Sequence, residues 1–261
     1  MAGEFQRFLL KNIIVFHRMD YVIAIPSYKR ATTLCSKTLQ TLRKYDIDKN
    51  LIYVFVVPEE YDEYREKIES EITVIPGVLG LVQQRKFITD FFPSGTNVVY
   101  IDDDVEDLLS LGPLNLHETI LRGFRLAKEY KCRLWGIYPV ANKFFMSLNH
   151  STNLKYIVGA FYGLINTDTL PEYEFSPKED WFRTCAYFKT DGKVVRLNDV
   201  AVKTKYYKEP GGLQETRTIS TNLEATHRLC DIFPELITIW TRPRTGMAEV
   251  RPRRSKKSAS E

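Results

Sequence analysis

Short runs of continuous apolar residues alternate with amphipathic stretches over the first hundred residues. Tyr21–Ile25, Leu51–Val57, Ile72–Ile75 and Asn97–Ile101 carry almost no polar alternation. That is how strands read when a parallel sheet is covered on both faces. Between them lie Thr33–Tyr45, with Leu34, Thr38, Leu39 and Leu42 on one helical face, a charged helix opening at Pro58 and running to about Ser70, and Val82–Phe92. The order βαβαβαβ predicts a mostly parallel sheet with right-handed crossovers, in which the loops after the first and fourth strands meet on one edge. Further on, Leu116–Tyr130 reads as a helix and Leu134–Tyr138 as a strand. Lys155–Ile165 is a long apolar stretch whose Gly159 and Gly163 mark bends or close backbone approach. A short helix runs from Lys178 to Phe188, a long strand or strand pair from Lys193 to Thr204, and a helix from Thr221 to Cys230.

The fourth strand ends in Asp102-Asp103-Asp104. Three adjacent carboxylates cannot be buried without partners, so they belong at the strand's carboxyl edge, where open α/β sheets bind ligands. A solvated acidic turn with a helix cap has the same appearance. After a buried strand in a βαβ pattern, the sharper expectation is Mg²⁺ or Mn²⁺ bridging the strand end to a diphosphate.

Three other stretches carry candidate chemistry. Pro26-Ser27-Tyr28-Lys29-Arg30, forced off the sheet by its proline, can hold a base and ribose. Arg85 and Lys86 near a helix start suit a phosphate, or a solvated face. Glu179-Asp180 at another helix start can complement the helix dipole or supply a general base. The four histidines stand apart from any metal-ligand spacing, and no dinucleotide-type or Walker glycine motif is present.

Of 261 residues, 44% are hydrophobic and 27% charged, which excludes a disordered chain and allows one sizeable core. No apolar run approaches the ~18 residues of a membrane span. The four cysteines are scattered without a CxxC pair, so reduced thiols and a cytoplasmic location are expected. The charge is +4 overall, but residues 242–261 hold seven Lys/Arg against two Glu. That end of the chain is expected as a basic, flexible tail, either a solubilising terminus or a polyanion contact. Residues 1–19 read as an N-terminal extension, with Met19-Asp20-Tyr21 a natural start.

The strand followed by Pro26-Ser27-Tyr28, the Asp102-Asp103-Asp104 triplet as a DxD motif and the later Glu179-Asp180 pair resemble the GT-A class of nucleotide-sugar glycosyltransferases over Tyr21–Gln214. A narrower resemblance, to the TET/JBP-associated DNA base glycosyltransferases of phages and kinetoplastids, rests on Ala24–Arg30, Gln84-Arg85, Tyr100–Val105, Trp135–Pro139, Lys178–Asp180 and Gly211–Gln214. Lys86 departs from it, since related enzymes often carry Asn after the Arg.

The resemblance implies a single GT-A domain over 20–241 with a Rossmann-like, mostly parallel sheet. Its nucleotide-sugar-binding half is 20–112 and its acceptor half 113–241. It further implies a UDP-sugar donor, UDP-glucose first, with Mg²⁺ or Mn²⁺ held by Asp104 and Asp102, and Pro26, Ser27, Tyr28, Arg30, Arg85, Asp102 and Asp103 around the nucleotide sugar. Asp180 would be the catalytic base, with Glu179 next in line. Trp135, Tyr206, Tyr207, Gly211 and Gly212 would face the acceptor, a hydroxymethylated pyrimidine in DNA. The same chemistry on a glycan or protein, and a non-catalytic nucleotide-sugar-binding module, are the rival readings.

Overall fold

The computed structural model describes residues 19–167, 178–204, 219–243 and 246–253. Each early apolar run becomes a strand: β1 (Val22–Pro26), β2 (Ile52–Val56), β3 (Thr73–Pro76) and β4 (Asn97–Ile101). They pair in parallel in the order β3-β2-β1-β4. Four helices make the crossovers: α1 (Ala31–Ser36), α2 (Thr38–Lys44), α3 (Tyr61–Lys67) and α4 (Leu81–Phe91). The first expected helix is divided in two at Lys37, which leaves helical backbone at φ −118°, ψ −82°.

The rest of the chain extends the same sheet. It contains β5 (Asp107–Ser110), α5 (Leu116–Glu129), β6 (Leu134–Tyr138), β7 (His150–Ser151), β8 (Phe161–Ile165), α6 (Glu179–Asp191) and β9 (Val195–Lys203). Strand β8 inserts antiparallel between β4 and β6, β9 lies parallel to β6, and β5 and β7 pair antiparallel with β9. The result is a nine-stranded sheet in the order β3-β2-β1-β4-β8-β6-β9-β5, with β7 joined to β9. β1, β2, β3, β4, β6 and β9 all point the same way, so the carboxyl ends of the mostly parallel, Rossmann-like sheet lie on one edge. The helices flank it in a single domain. Within the long apolar stretch only Phe161–Ile165 is strand.

Alternating residues of one strand enter different cores, as the strand period requires. Ile23 and Ile25 pack with Leu34 and Leu42 of α1 and α2 and with Ile120 and Phe124 of α5. Val22 and Ala24 pack on the other face with Ile88 and Phe91 of α4 and Tyr187 of α6. The outer side of α6 then buries Trp181, Phe182 and Cys185 against α7 (Ile219–Ile232) and the hairpin β10 (Ile237–Thr241)–β11 (Ala248–Pro252). This corrects the expected flexible tail: Ala248–Pro252 is a paired strand whose Val250 is core. The basic residues from Arg254 onward lie outside the described residues.

Trp135 also departs from expectation. It is fully buried, its indole lying between Gly123 of α5 and Gly163 of β8 rather than facing an acceptor. A Cβ on Gly163 would stand 2.0 Å from the indole Nε1, and one on Gly123 2.4 Å from its Cδ2. Gly163→Ala is therefore expected to destabilise by about 1–3 kcal/mol, the usual cost of overpacking. Trp135→Phe, by shrinking the ring, should rescue part of that loss, because the two sites share one contact. Urea denaturation of the single and double variants measures both; strictly additive effects would mean that the ring is not what the new methyl meets.

Candidate functional site

The acidic turn is fixed before its side chains are considered. After β4 ends, the Asp102 N–H still bonds the Ala160 carbonyl at 3.1 Å. Thr38 of α2 then donates its hydroxyl to the Asp102 carbonyl (2.7 Å) and accepts the Val105 N–H (3.0 Å), while Thr41 donates to the Val105 carbonyl. The backbone thus turns sharply off the sheet, with Arg30 shared by the Asp103 and Asp104 carboxylates and Arg85 on Asp102.

Asp103 points inward, its side chain only 7% exposed. It accepts the Ser27 hydroxyl at 2.6 Å and Arg30 Nη1 at 3.1 Å. Ser27 and the Arg30 N–H both meet the Tyr64 hydroxyl of α3, while Asp103 ties the loop after β1 to the loop after β4. Asp104 accepts Arg30 Nη1 at 3.3 Å and the Thr204 hydroxyl at 3.2 Å. Asp102 is the most open, 35% exposed, and takes Arg85 Nη2 at 3.0 Å. Although the side chain is partly open, the protein atoms packed around the carboxyl strip most of its water, and this desolvation, with Asp104 and Asp103 close by and only Arg85 in opposition, pushes Asp102 up to about 7. Burial likewise lifts Asp103 to about 6 against the Ser27 and Arg30 hydrogen bonds.

Arg85 joins this turn to the second half. The guanidinium is buried, donating to the Tyr162 hydroxyl (3.0 Å) and the Gly159 carbonyl (3.3 Å), with Glu179 at 3.6 Å. Glu179 is itself buried and paired with Arg183 at 2.7 Å, one helical turn on. The Arg183 guanidinium lies 3.7 Å from the Tyr162 ring centroid, a stacked cation in a site closed to water. Gly159 allows this packing, since a Cβ there would stand 3.0 Å from Glu179 Oε1.

Asp180 lies outside that clamp. Lys178, in left-handed backbone at φ 70°, turns the chain into α6, and Asp180 accepts the Trp181 N–H at 2.8 Å. Its other oxygen accepts the Tyr156 hydroxyl, and the Tyr156 ring stacks on Trp181 at 4.9 Å. Burial, then the neighbouring Glu179, raises the Asp180 carboxyl above its ordinary value. A carboxylate with a raised affinity for protons is suited to accept one.

The expected residues therefore fall into groups. Pro26, Ser27, Arg30, Asp102, Asp103 and Asp104 meet at one edge, Arg85 reaches from Asp102 to Glu179, and Tyr28 stands half-exposed on the rim, with Lys29 Nζ 5.0 Å over its ring. Glu179 is an internal ion-pair member, whereas Asp180 is the more open of the two. Tyr206, Tyr207, Gly211 and Gly212 lie outside the described residues. Tyr64, Tyr156, Arg183 and Thr204 were not anticipated; only Arg183, four residues after Glu179, stood at a readable spacing.

Asp102 and Asp104 offer the hard oxygen ligands that Mg²⁺ and Mn²⁺ take. Among the described residues no group of three or more His, Cys, Asp or Glu side chains is placed to hold a metal ion. Two carboxylates would need phosphate and water oxygens to complete the shell, a common arrangement for Mg²⁺. The crowding that raises Asp102 is what a cation would relieve, so the donor set fits. Among the described residues no helix is long and apolar enough to cross a membrane.

No protein-family model matches the chain, and no curated protein matches it. Among solved structures it is similar to 4-diphosphocytidyl-2C-methyl-D-erythritol synthase from Anaerococcus prevotii. The two are 11% identical, the match covers 79% of this chain and 99% of that one, and the TM-score is 0.42.

Proposed function

We propose that the protein is a glycosyltransferase moving a sugar, glucose from UDP-glucose first, from a nucleoside diphosphate to the hydroxyl of a hydroxymethylated pyrimidine in DNA. The observation that carries this reading is the convergence, on one carboxyl edge of the sheet, of the Asp102–Asp104 turn with the start of α6, linked through Arg85. The resemblance to GT-A enzymes and the basic end of the chain support the donor and acceptor classes.

In this reading Tyr28 and the backbone of the loop after β1 receive base and ribose, with Asp103 bracing that loop through Ser27 and Arg30. Asp102 and Asp104 would hold Mg²⁺ or Mn²⁺, which when bound would supply positive charge against the diphosphate leaving group. Asp180 takes the proton of the attacking hydroxyl, and Tyr156 fixes the carboxylate's orientation. Glu179 keeps Arg85 and Arg183 in place. EDTA should abolish transfer to modified DNA and Mn²⁺ restore it. Full activity in EDTA would remove the ion from the reading and leave Arg30 and Arg85 to meet the diphosphate.

Proton linkage gives a second readout. The Asp102 pKa in the folded chain, about 7, lies above its ordinary 3.8. Its contribution to stability is therefore complete below about pH 4 and is lost as pH rises through about 7. A cation binds the ionised form and reverses that loss. Mn²⁺ should raise the melting temperature clearly near pH 8 and scarcely near pH 5. Equal shifts at the two pH values would place the ion elsewhere.

A further inference from the structure

The loop between β6 and β7 presents apolar side chains to water. Over nine residues it exposes Val140 (52%), Phe144 (86%), Phe145 (58%) and Leu148 (80%). The backbone is nevertheless closely tied. Asn142 caps the single helical turn Lys143–Phe145, accepting the Phe144 N–H at 3.0 Å. Met146 is buried, and the Ser147 N–H donates to the Asn198 carbonyl of β9 at 3.0 Å. The Ser147 hydroxyl and the Asn198 amide both donate to Asn149 Oδ1, at 2.8 and 2.9 Å. The Phe144 and Phe145 rings meet edge to face at 5.0 Å. An ordered turn holding a cluster of apolar side chains outward is a contact surface.

Its place in the sheet is set by register. Tyr162 of β8 pairs with Tyr100 of β4 on one side and with Gly136 of β6 on the other. Two residues on, Asp102 and Tyr138 leave the sheet at the same level, two strand spacings or about 10 Å apart. The apolar turn therefore rises from the edge that holds the acidic turn.

Its charge points to a polyanion. Between Pro139 and Lys155 the chain contains Lys143 and no acidic residue. On the adjoining strand, Arg196 lays its guanidinium 4.7 Å from the Tyr138 ring centroid and donates to Asn198 Oδ1 at 2.9 Å. No carboxylate among the described residues forms an ion pair with it. Burial lowers its pKa, the direction that a bound phosphate would reverse.

We propose that this turn is a duplex-opening wedge: Arg196 and Lys143 hold DNA phosphates while Phe144 and Leu148 enter the base stack beside the target base. A base inside a duplex must be extruded before its substituent can react, and Phe and Leu are side chains that pry base steps apart. The proposal rests on the DNA-acceptor reading above.

The test uses the full chain and duplexes carrying hydroxymethylcytosine beside 2-aminopurine, whose fluorescence rises on unstacking. Wild type should raise that fluorescence. Phe144→Ser/Leu148→Ser should not, and its ratio of duplex to single-strand turnover should fall ~10- to 100-fold, the equivalent of a few kcal/mol of unstacking. Arg196→Gln should reduce the log–log salt slope of duplex binding by about 0.9. An unchanged ratio and fluorescence in the double variant, at unaltered melting temperature, overturns the wedge and leaves the acceptor reading standing. Wild type that neither binds nor glycosylates DNA in either form overturns the acceptor reading, and the wedge with it. If wild type but not the double variant binds anionic phospholipid vesicles, with the turnover ratio intact, the turn belongs to a membrane surface instead.

Discussion

Arg85→Met should cost the fold about 3–5 kcal/mol, the range seen when one member of a buried ion-pair cluster is removed. Methionine fills much of the volume, so the loss is electrostatic rather than a cavity. Asp102 would lose its 3.0 Å partner, and Glu179 would keep Arg183 but lose the cation on its other side. Protonation can relieve part of this. Burial already holds the Asp102 pKa above its unfolded value, and removing Arg85 raises it further, so ionisation of the folded state becomes costlier with increasing pH. Urea denaturation should show a larger deficit near pH 8 than near pH 5. A deficit of the same size at both would mean that the carboxylates do not depend on Arg85 for their charge.

Asp180→Asn should slow transfer about 10²–10⁴-fold, the usual loss when a general base is removed. The amide is nearly isosteric: its oxygen can still accept the Trp181 N–H while its NH₂ donates to the Tyr156 hydroxyl oxygen, reversing that bond, so the start of α6 keeps its geometry. Donor affinity, measured by calorimetry, should scarcely change. Weakened donor binding with normal turnover would make Asp180 a donor ligand. Glu179→Gln separates the two carboxylates: it lies inside the arginine clamp, so its main effect should be a lower melting temperature. If Glu179→Gln instead slows transfer by the same factor at unchanged stability, the roles of the pair are reversed.

The parallel half of the fold was legible because strands covered on both faces must be apolar throughout. Val22–Pro26, Ile52–Val56 and Asn97–Ile101 satisfy that without ambiguity. Strand β5 was not legible: Asp107-Leu108-Leu109-Ser110 continues an acidic run, and its strand character comes from β9, far away in sequence. The β10–β11 hairpin was hidden by charge. Arg242, Arg251 and Arg253 read as solvated tail, although Val250 among them and Ile237 shortly before them are core. In the site, the location of the acidic turn could be read, but its partners could not. Nothing in the spacing of Arg85, Asp102, Tyr162 and Glu179 announces that they meet, since the contacts are made by tertiary packing between helix starts and strand ends. Trp135 misled for the opposite reason: a large amphipathic ring near candidate chemistry suits a ligand, yet two glycines had made room for it in the core.

The insertion of β8 between β4 and β6 has a consequence for how the protein must be made. As the chain leaves the ribosome, β3, β2, β1 and β4 can pair locally, but the outer edge of β4 remains a row of open N–H and C=O groups until Phe161–Ile165 arrives. Such an edge invites pairing with other chains, and the late, distant partner slows its closure. A fragment ending near residue 112 would carry the whole acidic turn on an unsealed sheet, without Ala160 to anchor Asp102 or Tyr162 to seat Arg85. The chain before residue 112 and the chain after it build one sheet, so neither half is expected to stand as a module that evolution or an engineer could lift out by itself.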